Sequence, residues 1–323
     1  MLQACVIGVG NMGRHHARIY FENNQVQLRG ISDSNTEVGR KYADKYDIDF
    51  FTNYNKMLDT IKPDLVSLVT PTSTHYEIGK EILNRGINLL IEKPIADSIK
   101  HGEKLIQISE ENDLVLLVGH IERYNPGIKA IKKVIDKNFF GRISSMQFQR
   151  VGVVPPQIKD TNVVIDLAIH DIDLSNYLIG DTPDNYKANL NNTHLKNRYD
   201  SCDILISYPN SSSYIQANWI TPVKIRTLTI TGEKGYARLN LVTQKLELFE
   251  SIIETDFDDY GEYIILFKKP AITSFNVEKE EPLGLEINNF INTIKKKEKL
   301  KINPREALVS LDIAIDINNS NKC

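Results

Sequence analysis

Cysteine is scarce in this chain, and basic charge has no surplus. Cys5, Cys202 and Cys323 are the only thiols in 323 residues. Three scattered thiols form no disulfide framework and fit a reducing compartment, so the expected location is the cytoplasm. Lysine and arginine total 39 against 42 aspartates and glutamates, a formal net charge of −3. That balance offers no positive field to a phosphate backbone, which argues against nucleic acid as the main partner. No apolar run reaches the roughly 18 residues of a membrane span, and no charged leader precedes the strand-like ACVIG, so no membrane partner is expected. Low-complexity tracts and solenoid-length repeats are missing too. What is left is the composition of an ordinary globular protein, 41% hydrophobic and 25% charged. The length suits two domains, because single cores stop growing near ~250 residues. The partner expected is a small molecule.

Residues 4 to 119 alternate short apolar runs with amphipathic stretches. ACVIG, VQLRGIS, DFF, DLVSLVT, NLLIE and LVLLVG read as strands, mostly the continuous apolar kind that parallel sheets bury on both faces. Helices fill the gaps, one from about Thr74 to Arg85 with Gly86 as its stop. The predicted fold class is α/β: an N-terminal doubly wound Rossmann sheet over residues 1–120. An α+β domain with an open, mainly antiparallel sheet is expected over 121–323. In that second part a helix is predicted from Pro126 to Lys137. Half-buried strands are read in SSMQFQRVGVV, SSYIQANWI, IRTLTITG and KLELFES, with turns at Pro209-Asn210 and Gly232-Glu233. Two helices close the chain, the last opened by Asn303-Pro304. They are expected to pack back on the first domain. The run KKKEKLK near residue 295 reads as a solvated helix end, where the dipole favours cations.

Gly8-Val9-Gly10-Asn11-Met12-Gly13 lies between the first strand and the first helix. There the first glycine permits a tight turn, the second lets backbone approach a pyrophosphate, and the third allows close helix–strand packing. Asp33 ends the second strand, 20 residues beyond Gly13, where a carboxylate accepts hydrogen bonds from ribose hydroxyls and repels a 2′-phosphate. Together they predict a dinucleotide, NAD in preference to NADP. His15 and His16, on the following helix, read as surface or packing positions.

Three further segments sit where ligands bind. Thr70-Pro71-Thr72 with His75, and Glu92-Lys93-Pro94, follow strand C-termini, the ligand edge of an open parallel sheet. Thr70, Pro71, Thr72, His75, Glu92 and Lys93 join the glycine turn and Asp33 as cofactor-binding candidates. The third segment, DLAIHDID, has a helical pattern that places Asp166 and His170 on one face, with Asp173 one turn on. Asp166, His170, Asp171 and Asp173 also admit a metal reading, but metal sites usually draw ligands from another element as well, and no metal is expected.

Taken in order, GVGNMG, Asp33, PTSTH, EKP and DxxxH resemble the Gfo/Idh/MocA oxidoreductase family along the whole chain. The resemblance implies an NAD-dependent dehydrogenase of CH–OH groups, with Lys93 as the catalytic lysine, Asp166 and His170 as its partners, and a cis peptide between Lys93 and Pro94. It also implies a homo-oligomer, dimer or tetramer, assembled through the C-terminal sheet. Oxidising a secondary alcohol needs a base for the hydroxyl proton as hydride leaves the same carbon, and His170 is the candidate. Lys93 either stabilises the alkoxide or relays the proton; both roles stay open.

GHIERYNPGI, RVGVVPP and VVIDLAIHDID resemble the sugar-nucleotide dehydrogenases of that family. They imply a UDP-sugar, with the C3 hydroxyl of UDP-N-acetylglucosamine oxidised to the 3-keto sugar. Asn162-Val163-Val164 replaces the glycine run common in the family ahead of the aspartate, which sets this chain apart from the inositol and glucose enzymes. A diphosphate asks for cations, and Arg123, Arg150 and Lys159 stand near the start of the second domain. Arg123 and Arg150 are the preferred pair, and Asn125 is a further substrate-binding candidate beside Lys93, Asp166 and His170. The competing reading has Arg123 orient the next helix and Arg150 solvated. Two other functions stay open: a free-sugar or inositol dehydrogenase, and a dinucleotide-binding regulator without turnover.

Overall fold

The structure, a computed structural model, describes residues 1–153, 161–251, 253–257, 260, 263–267 and 270–320. The chain divides into two compact units, one of residues 1–124 with 280–315 and one of residues 125–279 with 316–323.

The first unit alternates β1 (Leu2–Ile7), α1 (Gly13–Glu22), β2 (Val26–Ser32), α2 (Thr36–Tyr46), β3 (Asp49–Phe51), α3 (Tyr54–Ile61), β4 (Leu65–Leu68), α4 (His75–Asn84), β5 (Asn88–Glu92), α5 (Ile99–Glu111) and β6 (Leu116–Gly119). The strands pair in parallel in the order β3-β2-β1-β4-β5-β6. Strand order reverses between β1 and β4, and in such sheets ligands bind off the strand C-termini at that switch. The turns after β1, β4 and β5 carry the glycines, the PTSTH segment and Lys93, so topology gathers those motifs at one edge of the sheet. The runs read as strands are these strands, and their continuous apolar character follows from burial on both faces: all four residues of β4 and of β6 are buried. α4 stops where Gly86 turns to φ +74°.

The second unit opens with α6 (Pro126–Asp136) and β7 (Ile143–Val153), followed by α7 (Ile169–Ile179), β8 (Asn185–Asn191), β9 (Ser201–Tyr208), β10 (Ser211–Asn218), β11 (Ile220–Gly232), β12 (Gly235–Asn240), β13 (Lys245–Glu250), β14 (Ile253–Phe257), β15 (Tyr263–Phe267) and β16 (Ala271–Asn276). Its eight-stranded sheet runs β16-β13-β12-β11-β7-β10-β9-β8, antiparallel except where β7 meets β10; β14 and β15 pair separately. Side chains alternate on the interior strands: in β9, Cys202, Ile204 and Ile206 are buried while Leu205 is exposed.

Two helices follow, α8 (Pro282–Ile294) and α9 (Pro304–Ser320). Leu283, Ile287, Phe290 and Ile291 of α8 pack into the first unit's core with Val6, Tyr20, Leu90 and Leu117. Asn303 accepts a hydrogen bond from the Arg305 N–H and starts α9.

Candidate active site

Gly8 has φ +84°, and a Cβ there would meet the Val69 carbonyl oxygen at 2.5 Å. At Gly13 a Cβ would meet the Gly8 carbonyl at 1.8 Å, so helix and strand sit too close for any side chain. Gly10 is different: it is exposed, with nothing within 4 Å of its Cβ position. That open space over the start of α1, beside exposed Asn11 and Met12, is a cradle that a pyrophosphate fits. Asp33 faces the same turn. Its Oδ2 accepts the Val9 N–H at 2.8 Å and its Oδ1 accepts the Asn35 N–H at 2.8 Å. Each oxygen keeps a lone pair for a ribose hydroxyl. The residues present therefore fit a dinucleotide.

His75 and Glu92 serve the framework. His75 is buried, its Nδ1 lying 2.8 Å from the Pro94 carbonyl and its Nε2 2.9 Å from the Thr70 carbonyl. The ring thereby staples the loop after β4 to the loop after Lys93. Burial holds this imidazole below its ordinary pKa even though both carbonyls favour the proton. Glu92 turns inward: Oε1 lies 3.2 Å from His16 Nε2, and Oε2 accepts the Lys93 N–H at 3.2 Å. His16 Nδ1 in turn lies 3.1 Å from Ser67 Oγ, which is 2.8 Å from the Tyr20 hydroxyl. Burial alone would raise the Glu92 carboxyl; the hydrogen bond and charge of His16, with Lys93 beyond, hold it below the usual carboxylate range. Lys93 is half-buried and its peptide bond to Pro94 is cis. His16, read from sequence as a surface or packing position, is a fully buried member of the scaffold under the lysine.

Glu286 of α8 belongs to the same buried polar region and was not among the sequence candidates. It is fully buried, and its carboxyl is raised well above its usual range by burial, with the Glu92 charge adding to the effect. Neither carboxyl oxygen has a hydrogen-bond partner among the described residues. An amphipathic helix pattern offers no signal for such a residue, since position 286 falls on the apolar face of α8.

In the second unit, Asp166 stands in a π-helical turn, Val164–Ala168, that leads into α7 and His170. Such turns are rare and often functional. Asp166 and His170 are both half-buried. Asp173, placed on their face by the plain helical pattern, lies on regular α7 with His170 and is buried.

The substrate cations need correction as well. Arg150 is only 2% exposed, not solvated, and grips Asp171 through Nε at 2.9–3.0 Å and Nη2 at 2.8 Å. Arg123 is buried and pairs with Glu306. Asn125, not Arg123, starts α6: its Oδ1 accepts the Gly127 N–H at 3.0 Å while its Nδ2 donates to the Leu241 carbonyl. Arg123, Arg150 and Asn125 thus have internal work. Lys159 lies outside the described residues. Among the described residues no cluster of three or more His, Cys, Asp or Glu is arranged to hold a metal ion, and no helix is long and apolar enough to cross a membrane.

Comparison with known proteins bears on this geometry. The GFO/IDH/MocA model described as an oxidoreductase family with an NAD-binding Rossmann fold matches residues 2–120, and that family's C-terminal domain matches residues 128–238. The chain is 28% identical to the UDP-N-acetylglucosamine 3-dehydrogenase of Acidithiobacillus ferrooxidans over 290 residues, covering 90% of this chain and 87% of the relative. A solved structure of a protein of that name and organism aligns with a TM-score of 0.85 at 26% identity, covering 98% of this chain and 96% of that one. The scyllo-inositol 2-dehydrogenase (NAD(+)) of Bacillus subtilis is 23% identical, covering 99% of this chain and 94% of the relative.

Proposed function

Because the chain belongs to the Gfo/Idh/MocA oxidoreductase family, we propose that the alcohol it oxidises is the C3 hydroxyl of UDP-N-acetylglucosamine, giving the 3-keto sugar nucleotide. The coarser statement needs no proposal: the protein is an NAD-dependent dehydrogenase acting on CH–OH groups. The observation that carries the finer reading is the likeness to the sugar-nucleotide enzyme along nearly the full chain. Its 28% identity exceeds the 23% to the inositol enzyme.

NAD, when bound, supplies the hydride acceptor. The chain's own groups bind it and manage the proton. The Gly8–Gly13 turn presents backbone N–H groups to the pyrophosphate and Asp33 accepts from the ribose. His170 takes the hydroxyl proton, a task an imidazole performs near neutral pH, and Asp166 steadies its tautomer. The Lys93 ammonium donates to the oxygen as negative charge develops there, where a fixed cation is most effective. Its main chain is anchored through Glu92 and His16. Assembly as a homo-oligomer through the C-terminal sheet belongs to the same reading and is checked by light scattering; a monomer at assay concentration would remove that part.

The test is NADH absorbance with UDP-N-acetylglucosamine, UDP-glucose, free N-acetylglucosamine and myo-inositol, run with a ketone-consuming partner so that equilibrium does not mask turnover. Oxidation of the UDP-hexosamine, with the keto group located at C3 by NMR, is the expected result. Turnover of inositol alone overturns the reading, and full activity in a Lys93→Ala/His170→Ala double variant overturns the residue roles. That variant is expected to lose roughly 10²–10⁴-fold in kcat, the usual worth of a general acid–base group.

A further inference from the structure

The π-helical turn that carries Asp166 is held at its entry by Asn162. The Asn162 Oδ1 accepts the Val164 N–H at 3.0 Å and the Ile165 N–H at 3.2 Å, in the manner of a helix cap. Its carbonyl accepts the N–H of Asp166 itself at 2.9 Å. Its Nδ2 donates to Asn318 Oδ1 at 2.6 Å, so both ends of the amide are engaged. Val163 and Val164, next in the chain, are fully buried.

A second element grips the same entry. Between β8 and β9, residues 192–199 form a loop folded around the carboxylate of Asp200. Its Oδ1 accepts the Thr193 N–H at 2.8 Å, and its Oδ2 accepts those of His194 at 2.6 Å and Leu195 at 2.9 Å. Asp200 is buried. Burial alone would raise its carboxyl, but the N–H groups of His194, Thr193 and Leu195 hold it below the usual carboxylate range. The Asp200 main chain is fixed to the sheet: its N–H donates to the Asn191 carbonyl at 3.0 Å, and its carbonyl accepts the Trp219 N–H at 2.8 Å. From the loop so folded, the Tyr199 carbonyl accepts the Val163 N–H at 3.1 Å, and Arg198 Nη1 donates to the Thr161 carbonyl at 3.0 Å. The Arg198 guanidinium also lies 5.9 Å from the centre of the Trp219 ring, within cation–π range. Hydrogen bonds thus run from the sheet through Asp200 and its loop to residues 161–163, and from Asn162 to Asp166.

We propose that Asn162 and Asp200 are positioning residues for Asp166: Asn162 sets the entry of the π-helical turn directly, and Asp200 sets it through the loop that its carboxylate folds. The assignment rests on the reading of Asp166 and His170 as the acid–base pair. Both residues act through the backbone of residues 161–166. π turns are rare and cluster at functional sites, so the placement of this one is a point where catalysis is sensitive to its surroundings.

The test compares Asn162→Ala, Asn162→Ser and Asp200→Asn with Asp166→Asn. Each is assayed with NAD and whichever of UDP-N-acetylglucosamine, UDP-glucose, free N-acetylglucosamine and myo-inositol the wild-type enzyme turns over. Asn162→Ala is expected to lose about 10- to 100-fold in kcat, the effect of a misplacement on the order of 1 Å, with KM for NAD little changed. Its pH profile should move in the same direction as that of Asp166→Asn, which a loss of folded protein alone would not do. Asn162→Ser keeps an oxygen for the N–H groups of the turn and should recover most of the rate. Asp200→Asn keeps one acceptor oxygen for three N–H groups and should show a smaller fall in kcat in the same sense. Hydrogen exchange in the peptide spanning residues 163–170 should quicken in Asn162→Ala and Asp200→Asn, a readout independent of turnover. If Asp166→Asn loses activity while Asn162→Ala and Asp200→Asn keep the wild-type kcat and pH profile, the positioning assignment falls and the functional reading stands. If Asp166→Asn is as active as wild type, or the wild-type enzyme turns over none of the four alcohols, both fall.

Discussion

The two units bury charge in opposite ways. In the first, two carboxylates share one buried region, and their environments drive them apart: His16 lowers the Glu92 carboxyl, while burial and the Glu92 charge raise that of Glu286, whose oxygens have no hydrogen-bond partner among the described residues. In the second, Arg150 and Asp171 form a bidentate pair at 2% and 1% side-chain exposure. A full salt bridge in this geometry ties strand to helix, whereas the histidine–carboxylate contact links α1 to the end of β5. The ion-pair device ties β7 to α7; the histidine–carboxylate one anchors the main chain of Lys93.

The sharpest way to break this contrast is at Asp171. Asp171→Ala removes the bidentate partner of a buried guanidinium and should cost about 3–5 kcal/mol in urea unfolding. Replacing both partners with apolar residues, Arg150→Met/Asp171→Leu, should recover most of it. A single variant as stable as wild type would show that Arg150 is satisfied without Asp171.

His16→Leu tests the other device. Loss of its contacts with Glu92 and Ser67 loosens the anchor of the Lys93 main chain, and a misplacement on the order of 1 Å lowers kcat by about 10²-fold. The expected result is a 10- to 100-fold fall in kcat with an altered pH profile and little change in NAD affinity. His16→Gln, which can still donate to Glu92, should restore most of the rate. An unchanged kcat and pH profile in His16→Leu would sever Glu92 from the lysine.

Glu286→Gln gives the smallest effect, and in the stabilising direction. The folded-state pKa lies above the ordinary 4.5, so the native protein holds a proton that the unfolded chain releases. Stability therefore declines as pH rises from about 4.5 toward the folded value, and a glutamine has no proton to lose. At neutral pH the variant should melt a few degrees higher, roughly 2–4 °C per kcal/mol relieved, with a flatter dependence of Tm on pH. Glu92 runs the other way: its lowered pKa contributes stability that is present above the ordinary carboxylate range and lost as pH falls through the folded value. A Glu286→Gln melting curve that tracks wild type across pH would mean the two carboxyls are not driven apart.

Much of the first unit was legible because its signals are local. A glycine that must take φ +84°, an aspartate at a strand end and a helix stopped at Gly86 are each demanded by backbone geometry within a few residues. Side-chain partners were less legible. Arg123 and Arg150 looked like available cations because nothing nearby in sequence pairs with them; Glu306 lies 183 residues away and Asp171 lies 21 away on another element. His16 and Glu92 are 76 residues apart. The approach of Arg226 to Arg150 was invisible for the same reason, since the two meet only through the β7–β11 register.

The sequence by itself determined the parallel sheet, the dinucleotide turn and the order of its motifs, because hydrophobic period and glycine conformational freedom act over short stretches of chain. Only the tertiary structure decided which charges are already paired and which carboxyl is raised. Those depend on distances between residues that the chain separates and the fold brings together, and burial multiplies the electrostatic consequence of each such approach.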